Sequence, residues 1–304
     1  MAHVPAARTE RAEHPARPAS AGQARRIRPR RMLAAFAPHV LLALVALLFM
    51  WPFYWMATSG FKSLDEILSP NVVWFPQVLR WSNFGDVLDY PGFPFLRYMG
   101  NSLFYAGSVT AGTVLSCSCA GYGFARLRFP GRNILFALTI ATMMIPSVVT
   151  FIPTYVLFRY SHLLGTYAPL ILPSFFGNAF FIFMLRQFFM GLPWELSEAA
   201  KVDGASEFRI FWRIMLPLVR PALIVVAVFS FVWTWQEFFQ PLIYLSDPDS
   251  YPLSLGLFAF QGQRTTDWQL LMAAGTLTTL PLVVLFFAAQ RYFLQGITMT
   301  GLKG

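Results

Sequence analysis

The chain has 304 residues and a formal charge of +9, yet only 12% of its residues are charged while 56% are hydrophobic. A soluble domain carries about twice that density of charge, and 32 Phe with 9 Trp suit a lipid surrounding better than a water-facing surface. The composition argues against an ordinary soluble domain and points to membrane-spanning segments.

In chain order, Arg8 to Arg31 is rich in Arg, Ala and Pro and reads as a disordered basic tail, residues 1–31, on the cytoplasmic side. A cleavable signal peptide is the competing reading, since basic residues precede an apolar run. The run 32–57 is longer than a signal sequence needs, and further spans follow. Six stretches are then almost free of Asp, Glu, Lys and Arg: 32–61, 98–125, 133–158, 160–185, 221–246 and 268–290, of which only 221–246 holds a charged residue, Glu237. A helix crosses the hydrocarbon in about 20 residues at about 1.5 Å each. Every stretch is longer, and none alternates as a β-span would. The expected fold class is all-α integral membrane, with six transmembrane helices.

Basic residues orient these spans. The tail, 126–132, 186–220 and the C-terminus hold 18 of the 23, leaving Lys62, Arg80, Arg97, Arg159 and Arg264 for the other side. The positive-inside rule predicts that the first set and both termini are cytoplasmic. The net charge reflects this orientation, and without a folded basic domain outside the membrane no nucleic-acid role is expected. Cys117 and Cys119, at i and i+2, fall on different helix faces and read as small buried apolar residues. The four His have no partner at ligand spacing, so no metal site is expected. Neither a Walker A pattern nor a Gly-Xaa-Ser-Xaa-Gly elbow occurs, and no catalytic residue is expected.

One charged segment, 193–217, interrupts the apolar pattern. A first helix is predicted from Pro193, with Glu195 and Glu198 near its N-terminus. Leu196, Ala199, Ala200 and Asp203 form a shallow small-residue face, and Glu198 can pair with Lys201. Asp203-Gly204 ends the helix in a left-handed turn, and Ser206 caps a second one. Phe208, Phe211, Trp212 and Met215 make an apolar stripe at i, i+3, i+4 and i+7; Pro217 and Pro221 mark the bend into the next span. An interfacial loop would explain the aromatic stripe. It would not explain the first helix, whose acids an anionic leaflet repels; that helix suits a groove on another protein.

Glu198-Ala199-Ala200, three residues, Gly204, nine residues and Ile214-Met215-Leu216-Pro217 resemble the EAA motif of ABC importer permeases. Phe61-Lys62, Glu66, Pro70, Trp74, Pro76, Asn83-Phe84, Asn101-Ser102 and the run from Tyr122 to Arg132 are similar to blocks of the sugar-type permeases. The run from Ala288 to Gly304 resembles the C-terminal tail of the second maltose permease subunit. The resemblance spans 33–304, and the long Arg-rich tail departs from the family pattern. It implies a type I importer permease domain over 32–304. Its coupling helix would dock into a cleft on an ATPase through Glu195, Glu198, Ala199, Ala200, Asp203, Gly204, Ile214, Leu216 and Pro217. It further implies a second, different permease subunit, two ABC ATPase subunits that use ATP and Mg, and an extracytoplasmic solute-binding protein. The chain itself would hold no cofactor. A sugar substrate, contact with membrane lipid and a bacterial or archaeal cell-membrane location complete the expectation. The motif alone would also permit an importer of polyamines, peptides or ions. A secondary transporter should show broken helices around midplane charges, and an intramembrane enzyme a nucleophile–base pair.

Ser230, Trp233, Glu237 and Gln240 share one face if their helix is continuous. With Gln236 on the same helix, and Asn178 near the middle of the preceding span, they are the candidate substrate pathway. Two readings stay open: polar groups that hold helices together, or a pathway in which sugar rings stack on Trp233 while amides satisfy hydroxyls.

Overall fold

The computed structural model describes residues 29–260 and 266–300, and every regular element there is helical. The chain divides into a unit ending at Pro52 and a larger one from Phe53 onward, which holds every site considered below. The tail up to residue 28, together with Arg264 and Lys303 of the charge count, lies outside the described residues. Helix α1 (Pro29–Ser59) starts inside the stretch assigned to the tail. Proline at a first helical position forfeits only an N–H that has no partner there anyway.

The helices that follow are α2 (Leu64–Leu68), α3 (Ser82–Leu88), α4 (Phe95–Arg126), α5 (Arg132–Ala141), α6 (Ser147–Tyr160), α7 (Ala168–Ile171) and α8 (Ala179–Met190). After them come α9 (Glu195–Val202), α10 (Glu207–Ile210), α11 (Leu216–Leu218), α12 (Arg220–Gln236), α13 (Phe239–Tyr244), α14 (Leu253–Gly256) and α15 (Trp268–Thr300). Among the described residues four segments are long and apolar enough to cross a membrane: Pro38–Ser59, Phe95–Arg126, Ala168–Met190 and Trp268–Tyr292. Two bent pairs supply the rest, Arg132–Met144 with Ser147–Tyr160 at 100° and Glu207–Leu218 with Arg220–Gln236 at 78°, giving six when each pair counts once. The first bend is set by Pro146, which lacks an N–H and forces Ile145 into extended backbone (φ −83°, ψ 117°).

Helix α4 is the mast of the larger unit. Its 32 residues reach about 48 Å, more than the ~30 Å hydrocarbon layer, so both ends can serve connections outside it. At one end Asn101 Nδ2 donates to the carbonyls of Asp249 (2.8 Å) and Tyr251 (3.0 Å), and Ser102 Oγ accepts from Leu253 N–H at 2.7 Å. At the other, Tyr122 and Ala125 join Leu185 and Phe189 of α8, Phe211, Met215 and Val226 in one buried cluster. Lipid tails are as apolar as these side chains, so close packing rather than escape from water holds α8 and α12 to α4.

The connection after α1 is fastened by side chains. Ser63 and Glu66 form a capping box; the Glu66 carboxylate accepts from Ser63 N–H and Gln77 N–H, each at 2.9 Å. Those backbone donors, Ser63 foremost, hold its carboxyl below the usual range. The clamp is therefore complete above the ordinary glutamate pKa and is lost as pH falls through the lowered one. Lys62 is fully buried with its ammonium 4.0 Å over the Trp55 ring. Buried Asn83 donates to the carbonyls of both Gly60 and Lys62 at 2.9 Å. Asn83→Ala would leave both acceptors unpaired, at a cost of about 1–3 kcal/mol. Thermal unfolding of the detergent-purified protein should show a lower midpoint for Asn83→Ala and none for Asn71→Ala at an exposed site; equal midpoints would contradict the packing described.

Candidate functional site

Helix α9 begins after Pro193 and Trp194, as its sequence predicts. Ser197 and Ala200 are its buried side, and Ala200 belongs to the cluster under α4. The expected small-residue face is thus divided, because Ala199 is exposed while Ala200 is not. The outward face is instead Glu195, Glu198, Ala199 and Val202, all exposed, at the i, i+3, i+4, i+7 positions that align along one side of a helix.

The turn is a Schellman motif. Asp203 is the C-cap, Gly204 N–H donates to Lys201 O at 3.0 Å, and Ala205 N–H donates to Ala200 O at 2.9 Å. Gly204 takes φ +75° with nothing within 4 Å of where a Cβ would sit, so backbone conformation rather than crowding requires glycine there. Ser206 caps α10 through the Arg209 N–H. Lys201, however, does not pair with Glu198. Its ammonium reaches across the turn to Glu207, 2.5 Å away, and Glu207 also accepts from the Tyr122 hydroxyl at 2.9 Å. Lys201 first and Tyr122 after it hold the Glu207 carboxyl below the usual range.

Beyond α10 the expected aromatic stripe is split. Phe211–Met215 is a π turn, whose extra residue per turn shifts the helical phase. Ile210, Phe211 and Met215 are buried, while Phe208 and Trp212 are left exposed. Ile214 and Leu216 pack at the edge of the cluster, and exposed Pro217 sits in the first turn of α11. The chain then bends at Val219 (φ −93°, ψ 11°) into α12.

What anchors the segment is a basic residue of the Tyr122–Arg132 block. Arg126, at the end of α4, is 5% exposed. Its Nε and Nη2 donate to Phe189 O (2.9 and 2.6 Å), Nη2 also to Leu192 O (2.5 Å) and Nη1 to Pro193 O (3.4 Å). The guanidinium lies 4.5 Å from the centre of the Trp194 ring. It thereby satisfies carbonyls at the end of α8 and holds the approach to α9. Between α4, the turn after it and α9 lies a groove of about 640 Å³ lined by Tyr122, Arg126, Phe129, Trp194, Glu198 and Lys201. The Tyr122 and Arg126 pair at i, i+4, in a block flagged by resemblance, was the signal available for this anchor.

A second feature is a cleft of about 320 Å³ whose lining includes Tyr105, Asn178, Ser230, Trp233, Glu237 and Gln240. Five of the six candidate pathway residues meet there; Gln236 is exposed and does not line it. They meet for a different reason than expected. Helix α12 ends at Gln236 and Glu237 is extended (φ −65°, ψ 119°), so no continuous helical face joins 230 to 240. Pro241 has no N–H to offer the Glu237 carbonyl four residues back; Ser254 Oγ donates to it instead at 2.7 Å. The Glu237 side chain accepts from Phe239 N–H (2.9 Å) and Gln240 N–H (3.1 Å), capping α13.

Asn178 likewise stands at a break. Gly177 takes φ +91°, a region that side chains strongly disfavour. Asn178 Oδ1 accepts from Phe180 N–H (3.0 Å) and Phe181 N–H (3.3 Å), capping α8. Its own N–H donates to Cys117 Sγ at 3.2 Å. Buried Cys117 is therefore more than an apolar filler, and Cys119 is exposed rather than buried. Trp233 stacks on Phe181 at 5.3 Å with an interplanar angle of 29°. The cleft thus combines an aromatic wall with amide, hydroxyl and carboxylate groups.

Residues 112–299 match the family described as "Binding-protein-dependent transport system inner membrane component". The chain is 34% identical over 261 residues to a probable ABC transporter permease protein of Pyrococcus horikoshii, PH1036, covering 86% of this chain and 95% of that one. It is 32% identical over 263 residues to the arabinooligosaccharides transport system permease protein AraQ of Bacillus subtilis, covering 86% and 93%. With the sn-glycerol-3-phosphate transport system permease protein UgpE of Yersinia pestis it shares 31% over 277 residues, covering 89% and 98%. Among solved structures it superposes on a chain of a bacterial ABC transporter involved in the import of the acidic polysaccharide alginate, with a TM-score of 0.77, 22% identity, and coverage of 88% of this chain and 98% of that one. The bent spans, the glycine turn after the Glu-Ala-Ala helix and these matches together identify the chain as a multi-pass permease subunit of the binding-protein-dependent ABC transport family.

Proposed function

We propose that this chain is one of two membrane-spanning subunits of an ATP-driven sugar importer and that α9 is its docking surface for an ATPase. The observation that carries this reading is the outward face of α9: Glu195, Glu198, Ala199 and Val202 are exposed together on a helix tied to the transmembrane core by Arg126. Glu198 has no ion-pair partner among the described residues, which leaves it available to a cation on the ATPase. In this reading Ala200, Asp203, Gly204, Ile214, Leu216 and Pro217 shape the segment rather than touch the partner. Hydrolysis of ATP with Mg belongs to the ATPase pair, and a solute-binding protein delivers substrate from the opposite side. Residues 193–217 and both termini are then cytoplasmic, in agreement with the basic-residue count. The second permease subunit is taken to be a different chain. A saccharide or polyol is favoured over a polyamine, peptide or ion by the substrates in the names of the relatives.

Gly204→Val forces a β-branched residue to positive φ, and Glu198→Lys sets like charges together at the docking face. Each should insert normally yet abolish uptake in liposomes reconstituted with ATPase and binding protein, and less ATPase should co-purify; Gly204→Ala should be milder. Wild-type docking, stimulated hydrolysis and uptake in both variants would refute the role assigned to α9.

The cleft is the proposed sugar pathway, with Trp233 as the stacking platform and Asn178, Glu237 and Gln240 as its polar groups. Because Glu237 also caps α13, two substitutions separate its roles. Glu237→Gln keeps an acceptor for the α13 N–H groups; it should assemble as wild type but import severalfold more slowly. Glu237→Leu removes the cap, worth about 0.5–2 kcal/mol, and should lower complex yield and uptake together. Wild-type uptake by the Gln variant would reduce Glu237 to a cap alone.

A further inference from the structure

The second half of the charged segment leaves an aromatic and cationic face uncovered. Phe208 is 73% exposed and Trp212 54%, and their rings stack at 6.3 Å with an interplanar angle of 12°. Arg209 and Arg213 are exposed beside them, and no carboxylate of the described residues lies within ion-pair distance of either. Glu207, the nearest acid in sequence, is already engaged by Lys201 and Tyr122.

Direction decides what covers this face. Glu207–Leu218 is bent 78° from Arg220–Gln236. Spanning helices lean only about 20° from the membrane normal on average, so a helix nearly perpendicular to one runs close to the bilayer plane. With Ile210, Phe211 and Met215 buried in protein, the remaining side offers stacked rings suited to the acyl boundary and two guanidiniums suited to phosphate. The carboxylates Glu195 and Glu198, which such a surface would repel, stand on a different helix on the far side of the Gly204 turn.

We propose that Phe208, Arg209, Trp212 and Arg213 form a binding face for anionic phospholipid headgroups in the leaflet where α12 enters the membrane. The charged segment is then divided in function, its first helix facing protein and its second facing lipid. The lipid face depends neither on the substrate nor on what docks at α9.

The test uses the complete transporter, this chain with its partner permease and ATPase subunits, in nanodiscs of phosphatidylcholine and phosphatidylglycerol with one lipid or the other brominated. Subtracting the emission of Trp212→Phe from that of the wild type isolates the Trp212 signal; Trp212→Tyr serves should the Phe variant fail to assemble. The signal should be quenched, and more strongly by the brominated phosphatidylglycerol. Arg209→Gln/Arg213→Gln should cut that preference, by about fivefold in lipid affinity for each charge removed. Equal quenching by the two lipids would overturn the anionic-headgroup site. No quenching at all, or quenching only after the ATPase subunits are stripped, would show the face to be covered by protein instead.

Discussion

The buried guanidinium of Arg126 fixes where the charged segment stands. Three carbonyls, of Phe189, Leu192 and Pro193, converge on it where α8 ends and the approach to α9 begins. The last carbonyls of a helix have no partner within it, and a planar group with five donors can gather several of them at once. Lysine, with a compact ammonium, could not span the same set. One turn earlier on α4, Tyr122 reaches Glu207, which holds Lys201. Two contacts from one helix therefore brace both sides of the Gly204 turn. In the proposed importer a push on α9 is passed to α4, which also supplies Tyr105 to the wall of the cleft.

The cleft is built from interruptions. Helix α8 starts after Gly177 and α12 stops at Gln236, and after each break the first N–H groups of the next helix have no partner within it. Such groups must be satisfied internally. Asn178 and Glu237 do this by capping the helices that follow. Asn178 and Glu237 are thus bound to backbone at the breaks themselves. They make irregular backbone tolerable, and the same breaks bring Asn178, Glu237 and Gln240 to the cleft.

What could be read from the sequence is what local chemistry decides. A glycine after a short acidic helix fits a left-handed turn, and a serine two residues later fits an N-cap; both take those conformations. Long uncharged runs marked the four straight spans and the two bent pairs, since hydropathy needs no partner to be seen. Features that depend on distant partners escaped. Lys201 prefers Glu207 to Glu198 because the turn folds Glu207 back toward it. The Phe208–Met215 stripe splits because a π turn alters the phase, and nothing in its apolar spacing announces that. The 230–240 face fails because Pro241 denies the Glu237 carbonyl a backbone donor, a constraint that the proline itself carries. Cys117 as an acceptor for Asn178 required knowing that α4 passes the break before α8.

The central claim is that the outward face of α9, and not the rest of the segment, meets the ATPase. Amide hydrogen exchange at residues 195–217 reports this most directly when the permease pair is compared with and without its ATPase subunits in nanodiscs. The account predicts that exchange slows at Glu195–Val202 when the ATPases bind while Phe208–Trp212 is unchanged. Slowing confined to Phe208–Trp212, or no change at Glu195–Val202, would contradict it.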